Sequence, residues 1–466
     1  MSSARATAGA IQIKPVATRE DVTLFWRASL VAQGHDPAFT PPLLKETVDV
    51  LTPGATPFAR ANEGQSFVAL RGGEPVGRIY AVKHHAHLEK HKDGAGHFGF
   101  IEAIDDDAVW DALFEAAAAF LREKGLTKIG GPYSASVNHE CGLQVEGFGA
   151  RSTTHTNYAP PYYAAQLTRL GFRPVKDIMG YEGDLATSRL PQRVAKARAK
   201  WSDSPNLVLK PAVGPDALAA VNDVYNDAWS HNWGSVPTML EEAKFLAEMA
   251  ADIMPKDWAT LAYWFDRPIG VLCMAPDLNE AIRDLKGRLV PFGWAKLLWR
   301  LKVSGVSRTR VPIIGVRHAY RGTRVGAMAA SALLADAVLK ARAAGMKRLE
   351  VSWMLEENRP ILNLVRGMPA TRTKVWRLRE GALAAAARRH ARRQPGYPRL
   401  AGNVERYVKV VDTEQSSGMT TEMFHVEMGA SRPCRRQRAS RLRARLRAAR
   451  PPRARPRRRP PEQPPW

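Results

Sequence analysis

The sequence predicts an α/β (α+β) fold built twice in tandem, and three observations carry that prediction. Residues 66–82 (SFVALRGGEPVGRIYAV) and 260–274 (TLAYWFDRPIGVLCM) both read as strand, tight turn, strand, with Pro75-Val76-Gly77 and Pro268-Ile269-Gly270 entering the second strand. A long amphipathic helix follows in each half, at 107–124 before Gly125 and at 325–344 before Gly345. Each helix leads into a strand (127–130 and 348–354), and then into LGFRPVKDIMGYEGD (170–184) or RGMPATRTKVWRLRE (366–380).

The openings of the two halves also agree. A strand at 11–16 precedes a helix at 19–32, and a strand at 207–213 precedes a helix at 216–230. The offset between matching glycines is 193 at Gly77/Gly270, 220 at Gly125/Gly345 and 196 at Gly171/Gly367. The changes place an insertion of 27 residues in the second half, at 276–302, and one of 24 in the first, within 132–160. A repeat of about 170 residues is a duplicated domain rather than a solenoid. The expected organisation is a first domain at 1–184, a basic linker helix within 185–205, a second domain at 206–383 and a tail at 384–466. Each domain is expected to hold a mixed, mostly antiparallel sheet flanked by helices.

Composition narrows the class. An apolar fraction of 45% with 24% charged residues is that of an ordinary globular chain and excludes a wholly disordered or collagen-like one. The net charge of +24 points toward nucleic acid, an acidic surface or an acidic ligand, but residues 431–466 contribute +13 of it through fourteen Arg and one acid. That Arg/Pro-rich segment reads as a disordered tail. It is either an RNA- or membrane-binding arm or an extension without a selected role. The remaining +11 is a modest bias compatible with an anionic ligand. Cys141, Cys273 and Cys434 are too far apart for a thiolate zinc site or a disulfide framework. No window approaches a membrane span and the N-terminus lacks a signal-peptide core, so a cytoplasmic protein without integral membrane association is expected.

The element order resembles the GCN5-related N-acetyltransferase fold of the acyl-CoA N-acyltransferase superfamily. In that family a turn after the fourth strand cradles the pyrophosphate of acyl-CoA on N–H groups at a helix N-terminus, where orphan donors and the positive dipole end favour an anion. Here strand 311–316 runs into Arg321-Gly322-Thr323-Arg324-Val325-Gly326 and then the long helix. Arg324 replaces the family's middle glycine. Its Cβ restricts positive φ, while its cation suits a phosphate. The resemblance implies that Gly315, Val316 and Arg317 offer backbone to the pantetheine arm and that Arg321 through Ala327 hold the pyrophosphate of acetyl-CoA or a longer acyl-CoA. In the first half Asp105-Asp106-Asp107 occupies the same place. Three carboxylates suit a helix cap and repel a pyrophosphate, so the first copy reads as degenerate. Stretches such as GRIYAVKHHAH, GGPYSASVNHECGLQVEGF, YNDAWSHNWGSVP and LEVSWMLEEN resemble one bacterial branch of tandem acetyltransferase-like proteins across 10–380.

The implied reaction is direct attack of an amine on the thioester, which needs a base for the amine and an acid for the thiolate. The family places a Glu on strand four or five, and Glu350, Glu356 and Glu357 are the candidates. Asn358 is equally a cofactor ligand or the N-cap of the next helix, since Pro360 follows. The acid is unassigned. Substrate contacts are expected from Tyr225, Trp229, Asn232 and Trp233, read as one helix face or a binding surface, and from Asp277 and Asn279 after the third strand. Trp294 and Trp299 lie on an amphipathic stretch (291–302) expected to pack on the domain, with a lid or an interfacial segment as the other readings. His84, His85, His87, His91 and His97 read as an exposed polar loop rather than a metal site, and no metal is expected. His139-Glu140 lacks the second His of a zinc-protease motif. The acceptor is expected to be a small-molecule or peptide amine. A second reading is an aminoacyl-tRNA-dependent transferase of the same fold, and a third is a non-catalytic acyl-CoA-binding protein.

Overall fold

The computed structural model describes residues 9–383 apart from 203, 205 and 252. The tail expected at 384–466 lies outside the described residues. The first half contributes β1 (Ile11–Pro15), α1 (Arg19–Gln33), α2 (Leu44–Leu51), α3 (Pro57–Ala61), β2 (Glu63–Arg71), β3 (Glu74–Lys83), α4 (His85–His91), β4 (Ala95–Ala103), α5 (Asp107–Glu123) and β5 (Lys128–Gly131). The insertion predicted within 132–160 carries the short strands β6 (Tyr133–Ser134), β7 (Glu140–Cys141) and β8 (Leu143–Glu146), before α6 (Tyr162–Arg169) and β9 (Arg173–Asp184).

After the linker helix α7 (Gln192–Ser202) the order repeats: β10 (Leu207–Pro211), α8 (Ala217–Trp229), α9 (Leu240–Ala251), β11 (Ala259–Trp264) and β12 (Arg267–Pro276). The second insertion holds α10 (Leu278–Ile282) and α11 (Gly293–Trp299). Then come β13 (Arg308–Val316), α12 (Arg324–Ala343), β14 (Arg348–Leu355), α13 (Arg359–Arg366) and β15 (Ala370–Ala382).

The repeated glycines of the hairpins have a packing cause. A Cβ on Gly77 would stand 2.8–3.0 Å from Ala103, Leu113 and Val109, and one on Gly270 would stand 3.1 Å from Leu333. Both glycines let the long helix of their half settle onto the sheet. Around α5 the core gathers Val109, Trp110, Leu113 and Phe114, and around α12 it gathers Ala329, Ala332, Leu333 and Ala337. The capping aspartates behave as the sequence implies: Asp106 accepts from the N–H groups of Ala108 and Val109 and pairs with Arg71 at 2.7 Å.

The two copies share one sheet of thirteen strands, in the order β1-β2-β3-β4-β5-β15-β9-β14-β13-β12-β11-β10, with β8 added to β15. The final strands are exchanged. β9, from the first half, pairs antiparallel with β14, and β15, from the second half, pairs antiparallel with β5. The two exchanged strands also pair with each other from Ala370↔Gly183 to Glu380↔Arg173.

Each half has one parallel pair, and each pair splays. β4 and β5 are bonded only through 95–97 and 128–130, and β13 and β14 only through 308–311 and 348–351. The first splay is filled by its own chain. A Cβ on Gly99 would lie 1.7 Å from the Tyr133 carbonyl oxygen, and the Phe100 N–H donates to Ser134 Oγ at 2.8 Å. The second splay opens on a cavity.

Candidate functional site

The cavity has a volume of about 1570 Å³ and is walled by both halves. The diverging strands supply Pro312, Ile313, Ile314, Ser352, Trp353 and Leu355. The 132–160 insertion reaches across from the first half and adds polar groups of its own, Asn138, His139, Glu140, His155 and Asn157 among them.

Two histidines of this insertion are placed differently. His155 lines the cavity with half of its side chain accessible, and its Nδ1 stands 3.4 Å from Glu140 Oε1. Burial by itself would lower this imidazole, but the Glu140 carboxylate bonded to it and the nearby Glu46 outweigh burial and hold it above its ordinary value. His139 is more enclosed. Its Nδ1 meets Ser136 Oγ at 2.8 Å and its Nε2 stands 3.5 Å from Glu242 Oε1. Burial pushes His139 down to about 4 and Glu242 up to about 7, so the His139 ring is neutral at physiological pH. Burial also lifts the thiols of Cys141 and Cys273 to about 12, and both line the cavity as protonated, unreactive groups.

Arg310 on β13 stands at the root of the splay and is 2% exposed. Its Nε donates to Ser352 Oγ at 2.9 Å, and its Nη1 donates to the carbonyl oxygens of Thr154 (2.8 Å) and His155 (3.1 Å). The guanidinium lies 4.5 Å from the Trp353 ring centroid. Among the described residues, Nη2 of Arg310 and Nε1 of Trp353 take no partner. These are two desolvated donors beside the point where the strands part.

The turn at 321–326 has the local geometry of an anion cradle. Thr323 caps α12, accepting from the Gly326 N–H at 3.1 Å. Among the described residues, the N–H groups of Arg324 and Val325 have no acceptor and Arg324 forms no ion pair. The substitution at 324 costs nothing in backbone, because this residue is the first of the helix and not at positive φ; the positive angle falls on Gly322, at +73°. A Cβ on Gly326 would lie 2.0 Å from the Tyr320 carbonyl oxygen, and one on Gly315 would lie 2.3 Å from the Trp229 ring. Arg317 and Arg321 are already engaged, the first with Asp223 and the Pro268 carbonyl, the second with the Ala228 carbonyl. They fix α8 to the loop; Arg324 is exposed and, among the described residues, makes no side-chain bond of its own. Val316 and Ala327 flank this cradle on β13 and α12.

The other sequence candidates scatter. Glu350 is 1% exposed and does not reach the cavity wall; it pairs with Lys374 at 3.1 Å and accepts from Thr153 and Ser352. Burial would raise its carboxyl, but Lys374, Arg310 and the two hydroxyls hold it below the usual carboxylate range. Glu356 and Glu357 lie at the outer end of β14, 3.6 and 3.1 Å from Lys176. Asn358 lines the cavity but makes no side-chain cap on α13. Tyr225, Trp229, Asn232 and Trp233 all line it; Tyr225 stacks on Trp229 with centroids 4.5 Å apart and donates to Asn138 at 3.0 Å. Trp233 lies beyond the end of α8 and so leaves the helix face read from the spacing. Asn279 reaches the wall, donating to the Ser152 carbonyl, while Asp277 sits behind it, capping α10 and accepting from Thr154.

Two further expectations need correction. His84, His87 and His97 are buried rather than exposed: α4 forms where a loop was expected, and the His87 and His97 rings pack 4.4 Å apart. Burial takes His84 down to about 4, so these are neutral core residues. Among the described residues no group of His, Cys, Asp and Glu is arranged to hold a metal ion. The stretch 291–302 packs on the domain only in part: Leu297 and Leu301 line the cavity and Arg300 donates to the Ala281 carbonyl, while Trp294 and Trp299 are both 55% exposed. No helix among the described residues is long and apolar enough to cross a membrane.

A bacterial ceramide synthase of Caulobacter vibrioides is 34% identical over 377 residues, which span 80% of this chain and 98% of that protein. The chain belongs to its family. Protein YghO of Escherichia coli is 36% identical over 351 residues, 74% of this chain and 88% of that one. No protein-family profile matches the chain. Among solved structures, a tandem GNAT protein from the clavulanic acid biosynthesis pathway superposes with a TM-score of 0.50 at 14% identity, covering 80% of this chain and 98% of its own. A GCN5-related glucosamine N-acetyltransferase region of a fungal multi-domain enzyme gives 0.50 at 15% identity, over 82% of this chain and 39% of that one. The family's fold is therefore the tandem GCN5-related acetyltransferase fold, as the element order predicts.

His155, Glu140, Arg310 and Trp353 escaped the sequence reading as site residues. The signal was present only in part: the offset arithmetic isolates 132–160 as added chain, and that chain is dense in Ser, Thr, Asn and His.

Proposed function

We propose that this protein transfers a long-chain acyl group from acyl-CoA to the amine of a long-chain amino alcohol, forming an N-acyl lipid of the ceramide type. The observation that carries the reading is the cavity of about 1570 Å³ at the open splay, beyond the 300–1,000 Å³ usual for small-ligand sites. An acetyl group alone would leave it empty, whereas two alkyl chains would fill it. The name of the Caulobacter relative points to the same chemistry.

In this reading the free N–H groups of Arg324 and Val325, with the Arg324 cation, hold the pyrophosphate. The open edges of β13 and β14 receive the pantetheine arm. Bound acyl-CoA supplies an activated thioester. His155, oriented by Glu140, takes the proton that the attacking amine loses; the neighbouring carboxylates that hold its imidazole above the ordinary value favour that transfer. Arg310 Nη2 and Trp353 Nε1 supply donors for the charge that gathers on the carbonyl oxygen, and a dry site strengthens them. His155 then returns its proton to the departing thiolate. Transfer is direct, since the cavity's cysteines are protonated and so serve poorly as nucleophiles.

The test is a turnover panel followed by mass spectrometry: acyl-CoA donors from two to eighteen carbons, each with a sphingoid base and with short amines. Turnover confined to long-chain donors and the sphingoid base is expected. Acetylation of short amines alone, or no acyl-CoA turnover, overturns the reading.

A further inference from the structure

The segment between α10 and β13 leaves large apolar side chains in solvent. Val290 is 82% exposed, Phe292 79% and Val303 70%, with Leu298 joining Trp294 and Trp299. The helix α11 continues through a π-helical turn, Arg300–Ser304, so Trp294 and Leu298 form one i, i+4 row and Trp299 and Val303 an adjacent one. Such a contiguous exposed patch needs a partner.

Charge identifies that partner. Residues 283–302 contain six cations (Arg283, Lys286, Arg288, Lys296, Arg300 and Lys302) and one acid, Asp284. Lys296 and Arg300 are pinned by Asp284, whose carboxyl they hold well below its ordinary value. Arg283, Lys286, Arg288 and Lys302 remain exposed in the same segment as the aromatics. Aromatic and aliphatic side chains rimmed by cations are the composition of a segment that lies in the interface of an anionic bilayer. The chain's own Arg-rich tail carries the same sign and offers no complement.

We propose that residues 290–303 seat the protein on a phospholipid surface bearing anionic headgroups. The same helix walls the cavity with Leu297 and Leu301, and with the inner edges of Trp294 and Leu298. One element therefore touches bilayer on one side and cavity on the other. The docking rests on exposure and charge alone and holds whatever the cavity binds.

The experiment is sedimentation of the full chain with phosphatidylglycerol and with phosphatidylcholine vesicles, first in 0.15 M NaCl, where the anionic lipid should be preferred, and then in 0.5 M NaCl, where every exposed cation, the tail's included, is screened and the apolar insertion of 290–303 remains. The wild type is expected to bind phosphatidylglycerol vesicles. Phe292→Asp/Trp299→Asp is expected to bind at least tenfold more weakly, with unchanged circular dichroism and melting temperature. Quenching of tryptophan fluorescence by brominated lipid is expected to fall in the milder Trp294→Phe/Trp299→Phe. Equal binding of wild type and double variant, or no wild-type binding at the higher salt, overturns the proposal. So does light scattering that shows a dimer abolished by the double variant in the absence of vesicle binding.

Discussion

The hydroxyl of Thr153 donates a 2.8 Å hydrogen bond to the carboxylate of Glu350, joining the inserted loop of the first half to the fifth core strand of the second. The same carboxylate neutralises Lys374, and both side chains are 1% exposed. The bond holds the 152–155 turn against β14, which places His155 at the cavity and brings its carbonyl to Arg310. Glu350 is thus a positioning residue.

Glu350→Gln is expected to destabilise the fold by about 3–5 kcal/mol, because it leaves the Lys374 cation buried without a counter-charge. Urea unfolding measures this. The carboxyl is held below its unfolded value, so its contribution is present above about pH 4.3 and is lost as pH falls through the folded value. The gap between wild type and variant should close in acid. A variant that keeps full stability and loses all turnover would instead make Glu350 the base.

His155→Ala should lower kcat by about 10²–10⁴-fold with acyl-CoA binding intact. In the wild type the acid limb of kcat/KM should fall above the ordinary histidine value of about 6.5, because Glu140 and Glu46 hold the imidazole up. Glu140→Gln removes the bonded carboxylate, so the limb should move to lower pH. A limb that stays in place separates Glu140 from the base.

Arg310→Lys keeps a charge but loses the fork that ties Ser352, Thr154 and His155 together. A fall in kcat of about 10²-fold is expected from the loss of a desolvated donor. An unchanged kcat would remove Arg310 from the reaction.

Arg324→Ala should weaken acyl-CoA binding by about five- to tenfold in calorimetry, with a shallower salt dependence and an unchanged melting temperature, since the side chain is exposed and forms no ion pair among the described residues. Gly326→Ala should weaken binding further and cost stability, because the methyl meets the Tyr320 carbonyl at 2.0 Å.

Cys273→Phe fills part of the cavity beside Ile313, its strand partner on β13. Each methylene buried contributes about 0.8 kcal/mol, about fourfold in selectivity, until space runs out. Acyl-CoA competition should therefore show the preferred chain shortened in this variant by several carbons.

Much of the fold was legible in the chain. Periodicity located the hairpins and long helices, and the repeated Gly77 and Gly270 marked where each helix presses on its sheet. The Asp106 cap and the Arg321–Gly326 turn set the acid-capped helix start of the first copy apart from the helix start with unpaired N–H groups in the second, because helix ends are local structures written in a few consecutive residues. What the sequence alone could not decide is which copy each final strand completes. β9 and β15 have the same pattern whether they close their own half or the other, and only the shared sheet exchanges them. The site followed from the same kind of choice. Glu350, on a strand with the right alternation, was drawn into a buried ion pair by Lys374, 24 positions away. His155 and Glu140, in a stretch without periodicity, were carried to the cavity by long-range bonds to Glu350, Asp277 and Arg310. Local propensity fixes elements and their caps; the pairing of buried charges across distant segments fixes which of them meet.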